Sequence, residues 1–421
     1  MNSSYANRWG KKEVAKVDIC RICKSTKLTT FLQLGPMPIP NGFLKKNELD
    51  KGEKFYPLDV AFCKNCGLSQ LQHVVSPHLL FDNYLYIPST AKTLVAQFKN
   101  ISVEAINYCS AKKNDLAVDI GSNDGTLLKY FAQKEMRVLG IDPAINLAKK
   151  ANAQGIKTLT SLFSKTLAQK IKSQYKKAKI ITATNVLAHI DDLNDFFEGI
   201  KILLKDDGVF IAEFGYIFDI LKKVEFDTIY HEHLSYFSLS PLVSLVKSHG
   251  LFISGAKRTD MHGGSLRVYI TQKKKAISKS TQSILEFEKR HKLKSLETYL
   301  KYRKQVDKIR YLLVNLLWGL RLKNKRIVGY GASARGNVLL NYCRIGRETL
   351  SYIVDSIPYK QGRFTPGTHI PIYKESKLTE DKPDYVLILA WNFADEIIAK
   401  QRAYQDSGGK FILTTPKLQV I

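Results

Sequence analysis

Two Cys-x-x-Cys pairs constrain this chain before anything else. Cys20-Arg-Ile-Cys23 and Cys63-Lys-Asn-Cys66 take four of its six cysteines. Each such turn presents both sulfurs on one side, and four thiolates suit tetrahedral Zn²⁺. A metal shared by Cys20, Cys23, Cys63 and Cys66 would tie two distant segments together and organise a small N-terminal module, expected over residues 1–80. The 39 residues between the pairs are more than a zinc ribbon usually holds. Two redox motifs or two disulfides are the other uses of such pairs. Residues 1–16 contain no apolar signal core, so a cytoplasmic location and a metal are expected instead.

The chain's 421 residues predict two or three domains. No apolar run approaches the ~20 residues that span a bilayer, and no membrane partner is expected. The net charge is +27, which attracts polyanions. The lysines are dispersed, however, with no basic stripe interleaved with aromatics. They read as solvated faces rather than a nucleic-acid footprint, with enough charge left to draw in a nucleotide diphosphate. The oligomeric state is open, with a monomer as the expectation.

Residues 1–80 read as loop-rich with short strands, and Pro36, Pro38, Pro40 and Gly42 exclude a helix between the cysteine pairs. Phe55–Phe62 reads as a strand delivering Cys63, and residues 90–110 as a helix. From 81 to 275 the pattern becomes α/β. Leu116–Ile120, Val138–Ile141, Ile180–Thr184 and Val209–Phe214 are apolar strands separated by helical stretches, which predicts a parallel sheet with crossover helices. Residues 276–320 read as a connecting helix or helix pair. A second α/β unit follows within 276–421, with strands near Arg326–Gly331, Leu350–Val354 and Tyr385–Leu389.

Ala117-Val-Asp-Ile-Gly-Ser-Asn-Asp-Gly-Thr126 joins strand to helix. Gly121 and Gly125 permit a tight turn, and Asp119 ends the strand where open α/β sheets bind ligands. The spacing is not that of a dinucleotide fingerprint. Asp142, seventeen residues after Gly125, ends the next strand and can accept both hydroxyls of a ribose diol. With Asp119, Gly121, Asn123, Gly125 and Asp142 on one edge, S-adenosylmethionine (SAM) is the expected cofactor. Asn185, after the third strand, is a further candidate contact.

Tyr230-His-Glu-His233 is the densest chemical segment. A histidine near its ordinary pKa can remove a proton α to a carbonyl, Glu232 can tune it, and Tyr230 can hydrogen-bond an enolate. If extended, the segment would place Tyr230 and Glu232 opposite His231 and His233; in a turn that partition fails. His189 follows the Ile180–Thr184 strand and is expected at the same edge. His262-Gly-Gly-Ser-Leu-Arg267 reads either as an anion-facing turn or as a tight hairpin. A second glycine turn, Gly329-Tyr-Gly331-Ala-Ser-Ala-Arg335-Gly336, opens another helix. With Lys360 and Arg363 downstream it suggests a nucleotide diphosphate, or alternatively a second redox cofactor.

Taken in order, these motifs resemble the SAM-dependent C-methyltransferases of nucleotide-linked 4-keto-deoxysugars. The resemblance covers the cysteine pairs, Phe81-Asp-Asn-Tyr-Leu-Tyr86, Val118–Gly125, Asn185–His189, Tyr230–Tyr236, His262–Arg267, Gly331–Gly336 and Lys360–Pro371. It implies an α/β architecture of a zinc-binding module, a central Rossmann-like SAM domain and a second Rossmann-like domain that helps hold the nucleotide sugar. It further implies that His233 is the base, with Glu232, Tyr230, His189 and Tyr86 (Tyr84 as the fallback) around the sugar. His262, Arg267, Gly331, Arg335, Lys360 and Arg363 are the expected substrate contacts. Methylation at C3 of an NDP-4-keto-6-deoxyhexose is the leading expectation; methylation at C5 and RNA methylation are the rivals.

Overall fold

The computed structural model describes residues 13–82, 84, 89 and 92–421. Its N-terminal module contains Val14–Lys16 (β1), Leu28–Met37 (β2), Tyr56–Cys63 (β3), Ser69–Leu71 (β4) and His73–Val75 (β5). The strand β2 is ten residues long rather than short, and it runs through Pro36. It can do so because it is the edge strand of its sheet and its register with β3 shifts before Pro36.

The central sheet is built from Leu116–Ile120 (β6), Arg137–Asp142 (β7), Thr158–Thr160 (β8), Ala178–Thr184 (β9) and Leu204–Gly215 (β10). Ser235–Tyr236 (β11) leaves this domain and pairs with β4 of the N-terminal module. Phe252–Thr259 (β12) and Ser265–Thr271 (β13) form an antiparallel hairpin that completes the order β12-β13-β10-β9-β6-β7-β8. The four apolar runs became β6, β7, β9 and β10, because parallel strands covered on both faces need continuous hydrophobicity. The β12–β13 hairpin was legible only as its glycine turn. Both neighbours of β6 are parallel to it, and the strand order reverses between β6 and β9. The turns after these two strands therefore open a crevice at their carboxyl ends.

Helices Lys279–Arg290 and Leu296–Leu322 form the expected connecting pair. Tyr299 on the longer one packs against Phe31 and Phe62 with centroids 5.0 and 4.6 Å apart, so this helix also completes the core of the N-terminal module. The last sheet runs Ile372–Tyr373, Ile353–Val354, Ile327–Tyr330, Tyr385–Ile388, Lys410–Leu413, Gln419–Val420, with all but the last pairing parallel. Among the described residues no helix is long and apolar enough to cross a membrane.

One buried ion pair locks the N-terminal module to the central domain. Arg21, inside the first cysteine turn, reaches Asp191 Oδ1 at 3.2 Å and donates to Leu71 O at 2.7 Å. Both side chains of the pair are 2% exposed. Asp191→Ala would remove the counter-charge from a buried guanidinium and is expected to cost about 3–5 kcal/mol in denaturant unfolding.

Candidate active site

The cysteine pairs converge. Cys20 and Cys66 Sγ lie 3.5 Å apart, Cys23 and Cys63 Sγ 3.6 Å apart, and all four sulfurs fall within 4.8 Å of one another. A tetrahedral Zn²⁺ with bonds of about 2.3 Å requires sulfurs about 3.8 Å apart, so the donor set fits the metal. Each turn closes on its own backbone, Lys24 N–H to Cys20 O at 3.0 Å and Gly67 N–H to Cys63 O at 2.9 Å. The four ligands are mutually closed, as in structural rather than catalytic zinc sites.

The first glycine turn lies at the β6 edge. Gly121 has φ +69°, and a Cβ there would collide with Val186 on the segment after β9. Asn123 and Asn185 also take positive φ, at 49° and 57°. Asp142 accepts Asn123 N–H at 2.8 Å and Ala144 N–H at 2.9 Å, one on each carboxylate oxygen. Its remaining lone pairs can still accept a diol. Thr182 donates to Asp119 at 2.6 Å, yet burial pushes the Asp119 carboxyl up to about 7. Burial raises Asp142 as well. Two buried acids at one edge suit a ligand carrying positive charge, and SAM carries both a sulfonium and an ammonium group. Asp119, Gly121, Asn123, Gly125, Asp142 and Asn185 thus share the crevice that the topology opens.

The Tyr230–His233 segment is a turn, so the two-faced extended arrangement does not hold. Leu234 N–H donates to Ala188 O at 2.7 Å, which seats the segment directly on the chain following β9. His233 Nδ1 lies 2.7 Å from Thr228 O. A carbonyl only accepts, so Nδ1 carries a proton, and in the neutral form of the ring the lone pair lies on Nε2. The His233 ring is 4.1 Å from that of Tyr230 and 5.1 Å from that of His189. Burial pulls His189 down to about 4, so it is neutral at physiological pH. His231 points away, its Nε2 3.1 Å from Tyr56 O in the N-terminal module, where it is structural. Tyr86 lies outside the described residues.

Glu232 is buried and pushed up to about 7 by desolvation, against the pull of two donors. These are Asn41 Nδ2 at 2.8 Å and Tyr84 OH at 3.1 Å. Each favours the charged carboxylate, so removing either must move the Glu232 pKa further up. Asn41→Ala and Tyr84→Phe are therefore both expected to shift the Glu232 titration to higher pH, read by carboxyl ¹³C NMR.

Some expected substrate contacts sit elsewhere. Arg267 was expected to face a ligand. It is instead buried in β13, donating to Glu213 at 2.7 Å and to Glu104 at 2.6 Å, and it stitches helix Lys92–Cys109 to the sheet. The His262 side chain lies outside the described residues. The glycines beside it are explained by close packing: a Cβ on Gly263 would meet Glu225 Oε1 at 2.6 Å, and one on Gly264 would meet Asp219 Cγ at 2.5 Å. A turn backed by two carboxylates is a poor anion cradle, so the hairpin reading of this element holds.

The second glycine turn is also partly self-satisfied. Asp355 Oδ2 accepts Ala332 N–H at 2.7 Å, and Lys360 Nζ donates to Ala332 O at 2.7 Å. A phosphate at Gly331 would have to displace that carboxylate. Even so, Lys360 and Arg363 gather against the loop that carries Asn41. Lys360 Nζ sits 5.5 Å from the Phe43 centroid, Arg363 reaches Phe43 O at 3.4 Å, and Asn337 donates to Pro40 O at 2.6 Å. Arg335 opens the following helix and approaches Glu225 at 3.6 Å.

Asn41 had no local signal, since it lies in a proline-rich loop, and Phe81 was legible only as the first residue of the Phe81–Tyr86 motif; it ends a short helix and stacks on His189 at 5.6 Å. Only the meeting of the N-terminal module with the central sheet brings them there.

Comparison with known proteins gives matches along the chain. Residues 20–81 match the family described as a putative zinc binding domain, 97–253 a methyltransferase domain, and 260–416 a C-methyltransferase C-terminal domain. The C-methyltransferase NovU of Streptomyces niveus is 33% identical over 410 residues, 97% of this chain and 98% of NovU. Among solved structures, magnesium protoporphyrin IX methyltransferase of Synechocystis PCC 6803 with bound SAM has 14% identity and a TM-score of 0.33, covering 46% of this chain and 86% of that one. A SAM-dependent methyltransferase of Clostridium acetobutylicum has 15% identity and a TM-score of 0.35, covering 42% and 91%. With a SAM crevice, a closed four-cysteine site and a relative matched nearly end to end, the chain belongs to the SAM-dependent C-methyltransferases that carry an N-terminal zinc-binding domain.

Proposed function

We propose that the protein methylates an NDP-4-keto-6-deoxyhexose at C3, as a cytoplasmic enzyme of deoxysugar biosynthesis. The observation that carries the reading is His233. Its tautomer is set by Thr228 O, and its segment is seated on the chain after β9, beside the cofactor crevice. His233 Nε2 takes the proton from C3, and the electron pair of that bond delocalises onto the 4-keto oxygen. Tyr230 and neutral His189 are the hydrogen-bond donors for the resulting enolate. SAM held at the Asp119, Gly121 and Asp142 edge would supply the electrophilic methyl group that the C3 carbanion takes, leaving S-adenosylhomocysteine. Glu232, held by Asn41 and Tyr84, orients sugar hydroxyls. Arg335, Lys360 and Arg363 supply positive charge toward the nucleotide diphosphate. Holding the carbon between base and sulfonium supplies much of the rate.

The test is mass spectrometry of dTDP- and GDP-4-keto-6-deoxyhexoses after incubation with SAM and the protein. A gain of one methyl on either, with S-adenosylhomocysteine, supports the reading and identifies the nucleotide. NMR of the product then separates C3 from C5. No gain on any keto-sugar from protein that binds SAM, together with salt-sensitive RNA affinity, would move the reading to RNA.

A further inference from the structure

The short turn just before the His233 segment is gripped from the C-terminal domain, at a point no sequence motif marks. Trp391 donates its indole N–H to Asp227 Oδ2 at 2.5 Å. Arg335 covers the Trp391 ring, with its guanidinium carbon 4.9 Å from the centroid, and pairs with Glu225 on the other side of the turn. Phe226, between the two acids, packs on Tyr342 with centroids 5.3 Å apart. Glu225 and Asp227 are both buried. Desolvation raises both carboxyls while Arg335 pulls against it. Burying two carboxylates around one guanidinium is a costly way to join two domains if adhesion is the only purpose.

The turn's position supplies a purpose. Residues Phe226–Thr228 form a single 3₁₀ turn, closed by Ile229 N–H to Phe226 O at 3.1 Å. Its last carbonyl, Thr228 O, is the one that holds His233 Nδ1. Asp227 is thus one residue from the group that sets the tautomer and direction of the imidazole.

We propose that Trp391 is a positioning residue for His233, acting through Asp227 and the Phe226–Thr228 turn, with Arg335 bracing the indole. The C-terminal domain then does more than hold a nucleotide: it sets the aim of the base. This rests on His233 being the base of the proposed reaction.

The test is Trp391→Phe, which keeps an aromatic ring under Arg335 and removes the N–H donor together with the second ring of the indole. The readouts are kcat, the KM for the nucleotide sugar, SAM affinity, the thermal midpoint, and the ¹⁵N NMR signals of His233 in substrate-free protein. The expected result is a kcat lower by about ten- to a hundredfold. KM and SAM affinity should stay within about twofold, and the His233 tautomer signals should shift. Asp227→Asn keeps an acceptor for the indole and should retain most activity, whereas Asp227→Ala should match Trp391→Phe. Unchanged kcat and unchanged His233 signals in Trp391→Phe would overturn the proposal. So would a loss of kcat that merely tracks lost SAM affinity and thermal stability. The NMR readout needs no sugar. A failure of the base assignment, with wild type and His233→Asn equally active, is therefore distinguishable from a failure of the positioning claim.

Discussion

Replacing His233 with asparagine is expected to lower turnover by about 10²–10⁴-fold while SAM binds as in the wild type. Asparagine retains an N–H that can reach Thr228 O, 2.7 Å from Nδ1 in the native chain, so the turn should persist. It has no basic nitrogen where Nε2 stood. The crevice residues Asp119, Gly121 and Asp142 lie on other elements and should be undisturbed. Methyl transfer followed by mass spectrometry, beside SAM binding by calorimetry, checks both halves of the expectation. Full activity in the variant would remove His233 from the base role. Neutral His189, held near a pKa of about 4 by burial, would then be the nearby imidazole to test.

Removing one zinc ligand should have the largest effect on stability. Cys66→Ser is expected to abolish stoichiometric zinc, lower the thermal midpoint and inactivate the enzyme. Structural zinc supplies about 10–16 kcal/mol to zinc-finger peptides near neutral pH, more than a module of this size can replace by packing. Activity falls too, because this module positions Asn41 on Glu232 and Tyr56 O on His231. The ligands must be thiolates, so acidification should release the metal as protons compete for sulfur. Metal analysis across pH and a melting curve measure both. A zinc-free Cys66→Ser protein with native stability and activity would show that the cluster is dispensable.

The long-range contacts explain why some expectations failed. Arg267 has the composition of an anion ligand, and its motif contains two glycines. Its direction, however, is set by the alternation along β13 and by the carboxylates of Glu213 and Glu104, which come from two other elements. The glycines beside it make room for Glu225 and Asp219, which no spacing in the motif reveals. In the same way Asp355 occupies the amide that the second glycine turn would offer to a phosphate.

What the chain determined by sequence alone was whatever depends on neighbours a few residues away. The Cys-x-x-Cys turns, the apolar runs of β6, β7, β9 and β10, and the glycine turn with its strand-end acids are local patterns whose geometry follows from backbone sterics and hydrophobic periodicity. Tertiary structure alone decided which of these ends meet. Asn41 and Glu232 are 191 residues apart, and Trp391 and Asp227 are 164 apart. Their contacts join the N-terminal module and the C-terminal domain to two neighbouring turns, Tyr230–His233 and Phe226–Thr228, and burial there, rather than any local spacing, sets the surroundings of His233.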